Sequence, residues 1–349
     1  MDSLCEMTAT DLRRMIGRKD ISPVEIVEAS IERIETTDPS LNAVVTKNYE
    51  GARKAAKAAE KDVLDGEMLG LLHGLPIGIK DLEATAGLRT TLGSRLYADH
   101  VPTTDQGVVS NVREAGGVIL GKTNTPEFGA GANTRNLLFG ATGNPFNPAK
   151  TCGGSSGGSA VALAAGMVSL ASGSDYGGSL RTPAGFCGVV GIRPSPGIVA
   201  AETRPVGLLP FSVLGPMGRT VEDANLLLQA QMGPNPHDPF STMFLDELTQ
   251  PLEPADLGCI RAMLSADLGI AAMSNDYRKI FSERTKIFQH HFAHAFTGNP
   301  DFTHGDNAFE VLRGVNFVAA HGGRVRNHRD ELSPNVVDKV DRGLSSSLS

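Results

Sequence analysis

From Thr151 to Ser174 the chain reads TCGGSSGGSAVALAAGMVSLASGS, twenty-four consecutive positions without a charged side chain. A soluble fold can only bury such a segment. Its apolar part, Val161 to Ala171, is too short to span a bilayer, which takes about 20 apolar residues. The glycine-serine half alone would suit a flexible linker, but linkers rarely run straight into helix-forming material such as SAVALAA. The segment therefore predicts a tight polar turn, a buried helix from about Ser159 to Ala165 and a buried strand near Val168 to Ser172.

The flanking sequence supplies the remaining layers. In ISPVEI, residues 21 to 26, Ser22 is placed to cap a helix, with Pro23 in its first turn and Glu25 closing a capping box. Val24, Val27, Ile31 and Ile34 then share one face, so this helix should reach about Glu35. An Ala-rich helix follows from about Gly51 to Leu64. LPIGIKD makes a short apolar strand, Leu75 to Ile79, that delivers Lys80 and Asp81 at its end. A helix carrying Val108, Val109 and Val112 precedes the strand Gly117 to Gly121. Loops are expected around Pro126, Pro145 and Pro148. This alternation predicts an α/β fold, with a mixed, largely parallel central β-sheet covered by helices. The chain reads as a single domain over 1–349, with an irregular or inserted region at 234–307 that begins in GPNPHDP.

Composition removes several classes of function. The net charge is -7, with no basic stripe and no run of like charges, so no direct nucleic acid binding is expected. No secretory h-region and no membrane-length apolar run occur, which points to a cytoplasmic protein without membrane partners. Cys5, Cys152, Cys187 and Cys259 lack CxxC spacing and suit reduced thiols. His290 and His294 are four apart but lack a third ligand, so neither a metal site nor a cofactor is expected. Homo-oligomerisation is left open.

Two short motifs point to competing chemistries. GGVILGKT, Gly116 to Thr123, satisfies the phosphate-loop pattern letter for letter. Its middle residues are strand-like and the preceding NVREA is helical, so Lys122 reads instead as a strand-end lysine. GGSSG, Gly153 to Gly157, matches a nucleophile elbow in which Ser155 would attack, with His237, His304 or His321 as the downstream base. An elbow should follow a strand, and NPAKTC is a poor one.

A third pattern joins separate segments. GGSSGGSAVALAAG is followed by SGSDYGGSLRTPAGFCG, with Lys80 upstream in GIKD, and here the chain resembles the amidase signature family of serine hydrolases acting on amides. The likeness runs over Met7 to Phe240 and resumes more weakly from Phe309 to Leu344. It implies a catalytic triad of Lys80, Ser155 and Ser179, a cis peptide bond between Gly154 and Ser155, and a small-molecule amide as substrate. Family members usually continue beyond DKVDRGLSSSLS, so the chain is expected to lack a C-terminal part. The family also includes glutaminase-type subunits of tRNA-dependent amidotransferases, and the alternatives are such a subunit or an inactive homologue. DYGGSLRTP reads as closer to the stand-alone amidases.

The residue types suit the chemistry. Ser179 would attack, Ser155 would relay the proton and Lys80 would accept it, provided burial brings the lysine pKa from near 10.4 toward about 7 to 8. Glycines before a nucleophile let consecutive N–H groups converge on an anion. Tyr176, Gly177, Gly178 and Ser179 are therefore the oxyanion-hole candidates. Asp175 and Arg181 are expected to brace this loop, Ser156 and Ser159 to cap a helix, and Cys187 to fill core space.

Overall fold

The computed structural model describes residues 2–241 and 246–346. Six strands form the central sheet in the order Val44–Lys47, Val118–Thr123, Pro76–Lys80, Leu170–Asp175, Val213–Gly218 and Val190–Gly191. The three inner strands that begin at Val118, Pro76 and Leu170 run parallel, and the Val44 and Val213 strands pair antiparallel on either side of them. The Val118 and Pro76 strands are wholly buried, which explains their apolar runs without alternation. Helices cover both faces and give two large apolar clusters, one around Ile77, Ile79 and Leu227 and the other around Val161, Leu163 and Ala171. The α/β fold read from the sequence is the fold observed.

Local signals fix most helix starts. The Pro23–Leu41 helix begins on the expected capping box, with Ser22 Oγ accepting from Val24 N at 2.9 Å and Glu25 accepting from Ser22 N at 2.9 Å. It runs past Glu35 to Leu41, because Asn42 takes a left-handed φ of 57° and ends the helix there. The buried Asp38 carboxylate accepts from Ala43 N at 2.6 Å just beyond this end. The Ala-rich helix spans Tyr49–Asp65, and the expected buried helix spans Gly157–Ala164. Gly158 lets that helix approach the chain at Asn124, since a Cβ there would lie 2.2 Å from the Asn124 nitrogen.

Three local readings are corrected. Asn147–Thr151 is a strand and not a loop, paired with Gly143–Asn144 in an exposed ribbon where Pro148 is tolerated. Ser156 stands at the N-cap position but makes no capping hydrogen bond, and Ser159 Oγ bonds to Thr123 Oγ1 and to the Ser172 carbonyl instead. Both hydroxyls are drawn sideways into the sheet. Within the 234–307 region, Arg261–Leu264 and His294–Thr297 form a separate parallel pair joined through the helix Asn275–Phe288. Residues 242–245 of that region lie outside the described residues. Met263, Ile280, Ile287 and Phe296 on this unit are exposed.

Among the described residues no helix is long and apolar enough to cross a membrane.

Candidate active site

The Pro76–Lys80 strand ends with Lys80 wholly buried at the sheet's centre. Its ammonium group has three hydroxyl partners, Ser155 Oγ at 2.8 Å, Ser156 Oγ at 2.8 Å and Ser174 Oγ at 2.9 Å. Burial, which disfavours the charged form, pushes the Lys80 pKa down to about 7, opposed by the nearby Glu83 and Asp175 carboxylates. A lysine tuned in this way exists partly as a free amine near neutral pH, the form that can take a proton.

Ser155 sits in the turn before the Gly157–Ala164 helix and follows a cis Gly154–Ser155 peptide bond. Ser179 lies at the start of the next helix, Arg181–Cys187, beyond the Leu170–Asp175 strand. Ser156 N donates to the Ser179 carbonyl at 3.1 Å, tying the two loops together. Among the described residues Ser179 Oγ has no hydrogen bond, and both serines line one cavity of about 630 Å3. Lys80, Ser155 and Ser179 are thus gathered at one place from three elements.

The glycine loop is organised by Asp175. Its wholly buried carboxylate accepts from Gly178 N at 2.8 Å, Leu180 N at 3.2 Å and Arg181 at 3.0 and 3.1 Å, and Arg193 adds a contact at 3.3 Å. Burial pushes the Asp175 pKa up, but these donors outweigh it and leave the pKa below the ordinary carboxylate value. The bracing role expected of Asp175 and Arg181 is seen. The Gly178 N–H, expected to face an oxyanion, is instead committed to Asp175, because the positive φ of Gly178 (115°) folds the loop back on its own strand. Among the described residues the N–H groups of Tyr176, Gly177 and Ser179 make no such bond.

Other expectations separate from the site. Lys122 is a buried residue of the Val118–Thr123 strand that donates to the Glu83 carbonyl and to Thr85 Oγ1 at 2.7 Å, so it pins a loop and cradles nothing. Cys187 is buried in the core, and desolvation raises its pKa. His237 and His304 are exposed, away from this cavity's lining. His321 does line the cavity, but it stacks on Phe128 at 4.5 Å and burial pushes its pKa down to about 4. It has no hydrogen bond to either serine. His290 falls in a 3-10 turn and His294 opens a strand, and no group of three potential metal ligands occurs among the described residues.

Sequence reasoning missed several neighbours of the site. Ser156 and Ser174 complete the hydroxyl cage around Lys80. Glu83 is wholly buried, and its carboxylate accepts from Ser172 Oγ, which in turn accepts from Lys80 N at 2.9 Å. Burial raises the Glu83 pKa to about 7 against the Ser172 hydrogen bond and the two nearby lysines. Its other oxygen has no partner among the described residues. The Gly305–His328 helix closes one side of the cavity and packs Phe309 against Gly177, where a Cβ would lie 2.7 Å from the ring. Only the helical spacing of apolar residues in FEVLRGVNFVAA hinted at a buried face there.

A family profile described as Amidase matches residues 25–290. The chain is 38% identical over 294 residues to a glutamyl-tRNA(Gln) amidotransferase subunit of Carboxydothermus hydrogenoformans, covering 81% of this chain and 60% of that protein. It is 36% identical to an acylamidase of Rhodococcus erythropolis, covering 81% of this chain and 59% of that one. The chain thus spans about three fifths of the length of these curated relatives. Among solved structures, a bacterial aryl acylamidase of the amidase signature family superposes with a TM-score of 0.87 at 30% identity, covering 98% of this chain and 73% of that one. With the Lys80 and serine arrangement set beside these matches, the chain belongs to the amidase signature family.

Proposed function

We propose that the protein is a cytoplasmic amidohydrolase that cleaves a small carboxylic amide through an acyl-enzyme on Ser179. The observation that carries this reading is the 2.8 Å contact between Lys80 Nζ and Ser155 Oγ in a buried site that shares a cavity with Ser179. Neutral Lys80 draws the hydroxyl proton of Ser155, and Ser155 draws that of Ser179 as its oxygen bonds to the amide carbon. The carbonyl becomes an oxyanion, which in this reading accepts from the N–H groups of Tyr176, Gly177 and Ser179. The proton held by Lys80 then returns through Ser155 to the nitrogen as the C–N bond breaks. Water repeats the sequence on the acyl-enzyme and releases the acid.

The chain acts in this reading as one amidase-type unit, with 234–307 as an insertion. The test is labelling with a fluorophosphonate followed by peptide mapping. Modification at Ser179 supports the reading, and modification at Ser155 together with dependence on a histidine would replace it by the elbow mechanism.

A second reading, a glutaminase-type component of a tRNA-dependent amidotransferase, draws on the 38% identity to the amidotransferase relative. Turnover of simple acyl amides by the isolated chain, without glutamine hydrolysis, separates the first reading from the second.

A further inference from the structure

The Gly305–His328 helix presents Arg313, Asn316, Phe317, Ala320, His321 and Arg324 to the cavity that holds Ser155 and Ser179. These positions follow the i, i+3, i+4, i+7 spacing of one helix face. The two arginines on this face stand in opposite conditions. Arg324 is satisfied, donating to Tyr97 Oη at 2.9 and 3.0 Å and to the Ala320 carbonyl.

Arg313 is 9% exposed and has neither a hydrogen bond nor an ion pair among the described residues. Its guanidinium is held instead among three rings, Tyr176 at 5.2 Å, Phe309 at 5.6 Å and Phe317 at 5.0 Å. Ring faces orient a guanidinium but leave its five N–H donors unused. Of the two acids on its own helix, Asp306 and Glu310, neither forms an ion pair with it, and Glu310 lies 3.9 Å from Arg342. The Tyr176 hydroxyl beside it is also buried without a partner among the described residues. Two donors without acceptors, one of them a permanent cation, thus stand together on the wall of the reaction cavity. A buried polar group such as the Tyr176 hydroxyl is rarely left so, and the Arg313 guanidinium lines the cavity with its donors unused.

We propose that Arg313, with the Tyr176 hydroxyl, is a specificity-determining pair that receives a carboxylate of the substrate, so that the preferred amides are anionic. The guanidinium fork matches a carboxylate in a bidentate manner, and the enclosing rings exclude competing water. Such a carboxylate sits either on the acyl side, as in a dicarboxylic acid monoamide, or on the amine side, as in an N-acyl amino acid. Turnover of these compounds rests on the amidase reading above, whereas their binding does not.

The test is calorimetric titration of the Ser179→Ala protein with succinamate, glutaramate, N-acetylglycine and N-acetyl-β-alanine, each beside its uncharged methyl ester. One series should bind about ten-fold to a hundred-fold tighter than its esters, as expected for a charge-assisted hydrogen bond. Which series does so identifies the side that carries the carboxylate. Adding Arg313→Gln should abolish that preference, and Arg313→Lys should retain only part of it. Equal binding of acids and esters with Arg313 in place, or a preference that survives Arg313→Gln, overturns the proposal. If Arg313→Gln does not fold, the comparison of acids with esters on Arg313-containing protein still decides. Fluorophosphonate labelling of the otherwise unaltered protein keeps the two readings apart. Labelling without a carboxylate preference sinks this inference alone, and a carboxylate preference without labelling sinks the amidase reading alone.

Discussion

Lys80 Nζ lies 2.8 Å from Ser155 Oγ across a sequence separation of 75 residues, and the contact is fully buried. The sheet brings Ser179 to the same place, because the Lys80 strand and the strand leading to Ser179 are hydrogen-bonded neighbours. Both deliver their reactive residues at the same end, as parallel strands do.

The two serines should separate by function. Ser179→Ala removes the attacking oxygen and should lower kcat by a factor on the order of 10,000 or more, with loss of fluorophosphonate labelling. Ser155→Ala leaves nucleophile and N–H donors in place, and should slow turnover about 100-fold to 10,000-fold while Ser179 still labels slowly. Complete loss of labelling in both folded variants would contradict this division.

The acylation rate should rise with pH through about 7. Desolvation lowers the Lys80 pKa to about that value, so acid restores the ammonium and blocks proton transfer, while above the pKa the free amine is available. Lys80→Ala should abolish the rising limb. His321→Gln should leave the limb where it is, since His321 is already neutral above about 4. A pre-steady-state rate profile of the three proteins measures this.

Glu83→Gln tests the source of that tuning. The Glu83 carboxylate favours protonated Lys80, so removing its charge should move the rising limb to lower pH. Because burial raises the Glu83 pKa itself to about 7, Glu83 is partly neutral on the acid side of the limb, so the displacement should be small and read at and just below that pH. A limb that moves to higher pH would show that the electrostatic assignment is wrong.

Asp175→Ala should unfasten the glycine loop. It leaves Gly178 N and Leu180 N without their acceptor and Arg193 with only the backbone carbonyl of residue 175, and breaking a buried charged network of this kind costs about 3 kcal/mol or more. The Arg181 contact adds less, because that side chain is half exposed. Urea denaturation should show the lost stability, and the labelling rate of Ser179 should fall beyond what unfolding explains.

Ser22→Ala should cost about 1 kcal/mol, the usual effect of removing an N-cap, without changing the pH profile. Equilibrium unfolding measures it, and an unchanged midpoint would mean that the Pro23 turn alone starts the helix.

Much of this architecture is legible residue by residue. The capping box at Ser22, the apolar strands ending in Lys80 and near Thr123, and the uncharged run from Thr151 all state their local structure, since caps, periodicity and burial act over a few positions. Departures fall where a contact or backbone turn that the local pattern does not show prevails. The apolar periodicity gives out near Glu35 but the helix runs on to Leu41, and Asn147–Thr151 forms a strand because a ribbon partner accepts its proline. The neighbouring serines Ser156 and Ser159 look like caps, yet each is captured by a residue distant in sequence, Lys80 in the one case and Thr123 and Ser172 in the other.

What the sequence by itself determined is the set of reactive groups and the elements that carry them: a lysine at the end of an apolar strand, two serines in glycine-rich turns, and an aspartate and arginine flanking the second turn. Only the tertiary structure decided their electrostatics. Strand order placed three hydroxyls and Glu83 around Lys80, the fold of the loop turned Gly178 toward Asp175, and a helix far downstream in the chain brought an unpaired Arg313 to the same cavity. The reason is physical. Capping and periodicity depend on neighbours along the chain, whereas desolvation and charge pairing depend on neighbours in space.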